Sequence, residues 1–229
     1  MLTFFFTLSL VGILYFKNSF NGNFFIYNFF IGILIYGFSM GVGILTKGPI
    51  ILVFSIPVFL FYFIWDNSEY KYTLKFVIYW YLGFICSLTI CLFISLSWAL
   101  TASKLGGDEF KNAIFWGQSA NRVISGMSHA RDWWWYLSIF PIILFPWVFM
   151  PIVWNKIFKK YIYLNQGFKF CLFILIFSII ILSIFADKQP HYLTPLMPII
   201  GLIFSYIFST SLNANINKIN FIPIYLTLI

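Results

Sequence analysis

The chain has 229 residues, of which 62% are hydrophobic and only 9% charged. Soluble domains carry roughly a quarter of their residues charged, so a mean hydropathy of +0.93 leaves only the class of integral membrane proteins. The formal charge of +8 does not signal nucleic-acid binding, because the basic residues are scattered over loops and form no continuous stripe.

A helix needs about 20 apolar residues to cross a hydrocarbon core of roughly 30 Å. In chain order the apolar runs predict crossings at 2–16, 24–45, 49–64, 74–100, 135–153, 168–186 and 193–208, with a further piece at 221–229 too short to span. Helices are expected because unpaired backbone groups cannot be left in lipid, and the runs lack the alternation of barrel strands. The fold class is therefore all-α: a polytopic integral membrane helix bundle forming one transmembrane domain over 1–229. Segment 2–16 has neither a basic start nor a small-residue cleavage site, so it reads as a membrane helix that has lost its beginning rather than as a signal peptide. Cys86, Cys91 and Cys171 all sit in apolar runs without metal spacing and read as buried thiols. The 31 phenylalanines read as drift toward AT-rich codons rather than as an aromatic binding site.

Each crossing flips the side. Loops 17–23, 65–73, 154–167 and 209–220 then share one face, and 46–48, 101–134 and 187–192 share the other. The run Lys156-Ile157-Phe158-Lys159-Lys160 has no acid beside it and marks the first set as cytoplasmic. The second set, which holds both arginines and both histidines, then faces outward.

Three polar islands stand on that outer face. In the first, Thr46-Lys47-Gly48-Pro49, the glycine and proline suit a tight turn and a helix start. Lys47 is either a snorkelling interfacial lysine or a cation aimed at phosphate. The second island is the loop 101–134. Gly106-Gly107 is expected to turn the chain, and Asp108 and Glu109 to open a short helix lying on the membrane surface. Gln118, Arg122, His129 and Arg131 follow it, and Trp133-Trp134-Trp135-Tyr136 form an interfacial aromatic belt. Arginine presents a planar fork that grips phosphate oxygens with two bonds, so Arg122 and Arg131 suit a lipid phosphate; the alternative is a solvated loop in which Arg131 neighbours Asp132. The third island is Lys188-Gln189-Pro190-His191-Tyr192, in which Pro190 interrupts the helix. A single histidine makes no metal site. No nucleophile elbow, phosphate loop or zinc pattern occurs.

Taken in order, Leu45-Thr46-Lys47-Gly48-Pro49, Phe115-Trp116-Gly117-Gln118 through Arg122, His129-Ala130-Arg131 with the aromatic belt, and Lys188 to Tyr192 with Pro195 resemble the membrane glycosyltransferases of the protein mannosyltransferase superfamily. The similarity is strongest to the bacterial aminoarabinose (lipid A) transferase branch and covers about 24 to 208. It implies the all-helical membrane domain of integral-membrane glycosyltransferases, which move a sugar from a polyprenyl-phosphate carrier to an acceptor at the outer face of the inner membrane. The acceptor would be lipid A, another glycolipid or a protein. By the same resemblance Lys47, Arg122 and Arg131 would bind the donor phosphate, and His129, Gln118, Lys188 and His191 would line the headgroup pocket. No cofactor is implied with certainty; His129 is the candidate ligand should a divalent metal take part.

The chain departs from that pattern at one point. Members carry the catalytic acid in a first outer loop near the N-terminus, and no such loop precedes residue 24 here. The expectation is a fragment truncated at both ends, inactive as an isolated 229-residue chain. The competing readings are a segment of a lipid-linked sugar transporter or flippase, and a non-catalytic membrane protein. A transporter wants polar groups at mid-membrane depth, and the apolar runs are free of charge at their centres.

Overall fold

A computed structural model describes residues 1–21, 25–68, 73–112, 131–151, 153–154, 165–186 and 188–209, with no account of the side chains at 21 and 108–112. Among the described residues all regular structure is helical. The elements are α1 (Leu2–Asn18), α2 (Phe25–Lys47), α3 (Ile50–Leu60), α4 (Tyr62–Trp65), α5 (Leu74–Asn112), α6 (Trp135–Ile143), α7 (Gln166–Ile184) and α8 (Met197–Ser209). Short 3-10 turns lie at Ser19–Asn21, Trp147–Phe149 and Pro190–Leu196. Among the described residues four stretches are long and apolar enough to cross a membrane: Phe25–Lys47, Leu74–Gly107, Gln166–Ile184 and Pro190–Ser209. The chain is a multi-pass membrane helix bundle.

Contacts fix the helix directions. Gly12 of α1 lies against Tyr36 of α2, and Gly32 against Phe16, so the two helices are antiparallel. Gly37 meets Ser87 and Gly41 meets Cys91 and Ile94, so α2 and α5 are parallel. Phe61 packs on Phe177 and Trp65 on Phe170, which sets α3–α4 antiparallel to α7. Phe168 packs on Tyr206, which turns α8 back again. Trp135 starts near one end of the bundle, whereas Trp147 reaches Phe204 and Phe208 toward the other. The alternation counted from apolar runs is the alternation that these contacts describe.

Two expected crossings are not single helices. Segment 49–64 breaks at Phe61, whose φ of −102° and ψ of 37° separate α3 from α4. Its last four carbonyls then need partners other than the next helical turn, and in lipid an orphan carbonyl is costly. Pro57 O accepts from Phe61 N at 3.0 Å. Val58 O, Phe59 O and Leu60 O accept from Trp65 Nε1, Trp80 Nε1 and Tyr81 OH at 2.8, 2.8 and 3.1 Å. Segment 135–153 is also interrupted: α6 stops at Ile143, Phe145-Pro146 is cis, and a 3-10 turn follows. Pro141, Pro146 and Pro151 each remove a backbone donor that a continuous helix would use.

Lipid offers no hydrophobic drive for helix pairing, so close packing has to supply it. Phe16 is buried in the gap left by two glycines. A Cβ on Gly32 would stand 2.6 Å from the Phe16 backbone nitrogen, and one on Gly83 would strike the Phe16 ring. Around Phe16 the rings of Phe20, Phe29, Phe59 and Trp80 form a connected cluster, which Phe76 and Tyr62 extend. Some of the abundant phenylalanine thus serves as core packing. Of the three cysteines, Cys91 and Cys171 are buried as expected, but Cys86 is exposed. It lies beside, not within, the α5 surface that meets α2, where Ser87, Ile90, Cys91 and Ile94 make the contact.

Candidate functional site

The two ends of the bundle carry different chemistry. At one end, Lys17 closes α1 and pairs with Asp66 at 2.8 Å, both buried. Asp66 Oδ1 also accepts from Gln166 Nε2 at 2.7 Å and from the Ser68 hydroxyl at 2.8 Å. Lys169 Nζ donates to Asn67 Oδ1 at 3.0 Å, and Asn165 caps α7. This end therefore gathers residues from three of the loops assigned by counting to one face. Lys17, read from sequence as a loop lysine, is a partner in this buried pair.

At the other end the described parts of the three polar islands converge. Gly32 lies level with Phe16, and Lys47 is about 22 Å further along α2 at 1.5 Å per residue, so Lys17 and Lys47 stand at opposite ends of the bundle. Gly48 takes φ +75°, the left-handed conformation that ends a helix, and its N–H donates to Ile44 O at 2.7 Å. The turn that the sequence places at Thr46 to Pro49 is formed this way. Lys47 is exposed at the C-terminus of α2, where a cation suits the helix dipole. Its Nζ stands 5.2 Å from the Tyr192 ring centre, joining the first island to the third.

The second and third islands are joined by backbone. Arg131 N donates to Ala186 O at 3.4 Å, and Tyr136 OH donates to Gln189 O at 3.3 Å. The buried Lys188 ammonium donates to Arg131 O at 3.0 Å and to Phe185 O at 2.5 Å. Burial lowers the Lys188 pKa, against the opposing pull of Asp132. The Arg131 guanidinium is exposed and lies 4.7 Å from the Trp135 ring centre. An open cavity of about 480 Å³ is bounded by Arg131, Asp132, Trp134 and Trp135. His191 is exposed with its ring against Tyr192, and its carbonyl accepts from the Thr194 hydroxyl.

Of the site residues named from sequence, Lys47, Arg131, Lys188 and His191 are thus brought to one end. Gln118, Arg122 and His129 lie outside the described residues, as does most of the surface helix expected after Gly107. Gly107 itself has φ +77° and breaks the helical path of α5, at the position where the sequence places a turn. Among the described residues no group of three His, Cys, Asp or Glu could hold a metal. Sequence reading gave the tryptophans of the belt interfacial anchoring, with substrate stacking as the alternative, and assigned no contact to Tyr136 or to Tyr192 of the third island. Their signal was position, since each aromatic adjoins a polar island.

A guanidinium exposed beside such an open cavity and resting over an indole can donate two hydrogen bonds to phosphate oxygens. Among the described residues Lys47 and Arg131 outweigh Asp132 at this end, which suits an anionic headgroup.

No protein-family profile matches the chain, and no solved structure matches it. Curated relatives do. The chain is 26% identical over 170 residues to the undecaprenyl phosphate-alpha-4-amino-4-deoxy-L-arabinose arabinosyl transferase 1 of Pseudomonas fluorescens (strain Pf0-1), covering 71% of this chain and 27% of that protein. It is 28% identical over 166 residues to the protein of the same name from P. fluorescens strain Pf-5, covering 71% and 28%. The corresponding transferase of Pseudomonas aeruginosa (strain UCBPP-PA14) is 28% identical over 118 residues, covering 51% and 20%. The chain spans about a quarter of the length of the first two relatives, at 27% and 28%. The relatives carry the function that the motif resemblance implies.

Proposed function

We propose that this chain is part of a membrane glycosyltransferase that moves a sugar from a polyprenyl-phosphate donor to an acceptor. Its site would face the extracytoplasmic side of a bacterial inner membrane. The observation that carries the reading is the convergence of Lys47, Arg131 and the 188–192 segment at one end of the bundle, with the Arg131 guanidinium exposed beside a cavity. The names of the relatives support the same donor class.

The chemistry follows from charge. As the glycosyl bond breaks, the departing lipid phosphate gains negative charge. Fixed cations stabilise that charge most where water is scarce, as at a membrane interface. Arg131, Arg122 and Lys47 would grip the phosphate, and His129, Gln118 and His191 would border the headgroup. The prenyl chain would leave sideways into lipid. Activating the acceptor needs a base or an orienting carboxylate, which the family pattern places in an N-terminal loop and which no residue here is assigned to supply. The acceptor would be lipid A, another glycolipid or a protein.

The test is sugar transfer by the complete polypeptide in proteoliposomes, supplied with a polyprenyl-phosphate sugar. Arg131→Ala should abolish transfer, and Lys160→Ala, at the opposite face by helix counting, should leave it near the parent level. Equal losses for the two would remove the phosphate-site reading. The transporter alternative gains no support from the charged residues of the described crossings, which lie at the helix ends; the buried polar groups between them are serines such as Ser9, Ser39, Ser55, Ser87 and Ser95, bonded within the protein, and the Tyr36 hydroxyl.

A further inference from the structure

We propose that Lys188 is a positioning residue: it clamps the Arg131 backbone to the end of α7 and so presents the Arg131 guanidinium at the cavity. This deepens the proposed function and rests on the reading of Arg131 as the phosphate-gripping residue. Both resemblance and residue type suggest that Lys188 would itself meet the headgroup, and the geometry points elsewhere.

Lys188 is 3% exposed, whereas Arg131, one hydrogen bond away, is open to the outside. An ammonium has three donors. Two of them are committed to carbonyls, Phe185 O and Arg131 O. Phe185 is the C-cap of α7, so its carbonyl has no next helical turn to serve. Arg131 O belongs to a segment outside any helix. A buried ammonium needs such partners to offset lost hydration. One side chain thus ends α7 and ties residue 131 to it.

The clamp is reinforced on both sides. Arg131 N returns a bond to Ala186 O, and Tyr136 OH reaches Gln189 O. Residues 131–136 are thereby laid against 185–189, and α6 begins from that fixed point. With its main chain held, Arg131 has its side chain left to stack on Trp135 at the cavity rim. A guanidinium held in one plane loses less freedom when it takes a phosphate in a two-bond grip.

The experiment is equilibrium binding of undecaprenyl phosphate to the complete polypeptide in nanodiscs, for the parent, Lys188→Met, Arg131→Ala and the double variant. Each single change should weaken binding by about tenfold or more, the scale of losing a hydrogen bond to a charged group. The double variant should be no weaker than Arg131→Ala alone, because Lys188 acts only through Arg131. Lys188→Arg keeps donors for both carbonyls and should restore most of the affinity. If Lys188→Met does not fold, Lys188→Leu, which also lacks donors, carries the same comparison. Additive losses would show that Lys188 itself touches the phosphate and would overturn the positioning role, as would parent-like binding by Lys188→Met. Parent-like binding by Arg131→Ala would bring down the phosphate reading first, and the positioning role with it.

Discussion

Lys17 and Asp66 form a buried ion pair, 2.8 Å between charged atoms, at the end of the bundle opposite Arg131. It joins the last turn of α1 to the segment after α4, and Gln166 ties α7 into the same carboxylate. Removing one partner leaves the other charge buried. Lys17→Met or Asp66→Ala should therefore cost about 3–5 kcal/mol in unfolding experiments in detergent micelles. The double replacement Lys17→Met with Asp66→Leu should recover most of that. A loss under about 1 kcal/mol for either single change would rank the pair with exposed ones and contradict its structural role.

Trp80 Nε1 donates to Phe59 O at 2.8 Å, satisfying a carbonyl released where α3 ends. Trp80→Phe keeps the ring in the aromatic cluster but orphans that carbonyl. The expected cost is about 1–3 kcal/mol. Trp98→Phe, on the exposed face of α5, should change little by the same unfolding assay. Indistinguishable variants would mean that the carbonyl finds another donor.

Lys188 gives a pH signature. Burial lowers its pKa below the ordinary lysine value of 10.5, so the folded protein releases this proton before the unfolded chain does. Between the lowered value and 10.5 the unfolded state holds more protons, and stability rises with pH; below that window the cost of the buried charge is fully present. The melting temperature of the parent minus that of Lys188→Gln should increase as pH is raised toward 10.5. A flat or falling difference contradicts the buried, charged state of Lys188.

The orientation is checked by labelling. On a cysteine-free background, Trp134→Cys should react with an impermeant maleimide added outside intact cells. Asn18→Cys, at the Lys17 end, should react only after the membrane is opened. The reverse pattern would invert the proposed sidedness.

Helix directions were legible because the flip at each crossing is a local property of sequence, whereas the number of spanning helices was not: seven crossings were expected, and among the described residues four stretches are long and apolar enough to span. The meeting of Lys47, Arg131 and Lys188 at one end was legible for the same reason: they fall in loops that alternation puts together. The internal breaks were not. Pro57 sits inside α3, yet the helix yields at Phe61, where aromatic donors from α4 and α5 can take over its last carbonyls. That compensation depends on partners distant in sequence. Nor could sequence separate the duties of Lys188 and Arg131. Both are cations in polar loops, and only burial against Phe185 O and Arg131 O distinguishes the clamp from the exposed fork. Cys86 was misjudged because hydropathy reports residence in the membrane, not which side of a helix meets protein.

The most direct test of the central claim is photo-crosslinking of the complete polypeptide with a diazirine analogue of undecaprenyl phosphate carrying the reactive group beside the phosphate, mapped by mass spectrometry. Labels on 131–136 and 188–192, competed away by unmodified undecaprenyl phosphate and lost in Arg131→Ala, are the predicted result. Competable labelling confined to the Lys17–Asp66 end, or none that unmodified carrier displaces, would contradict it.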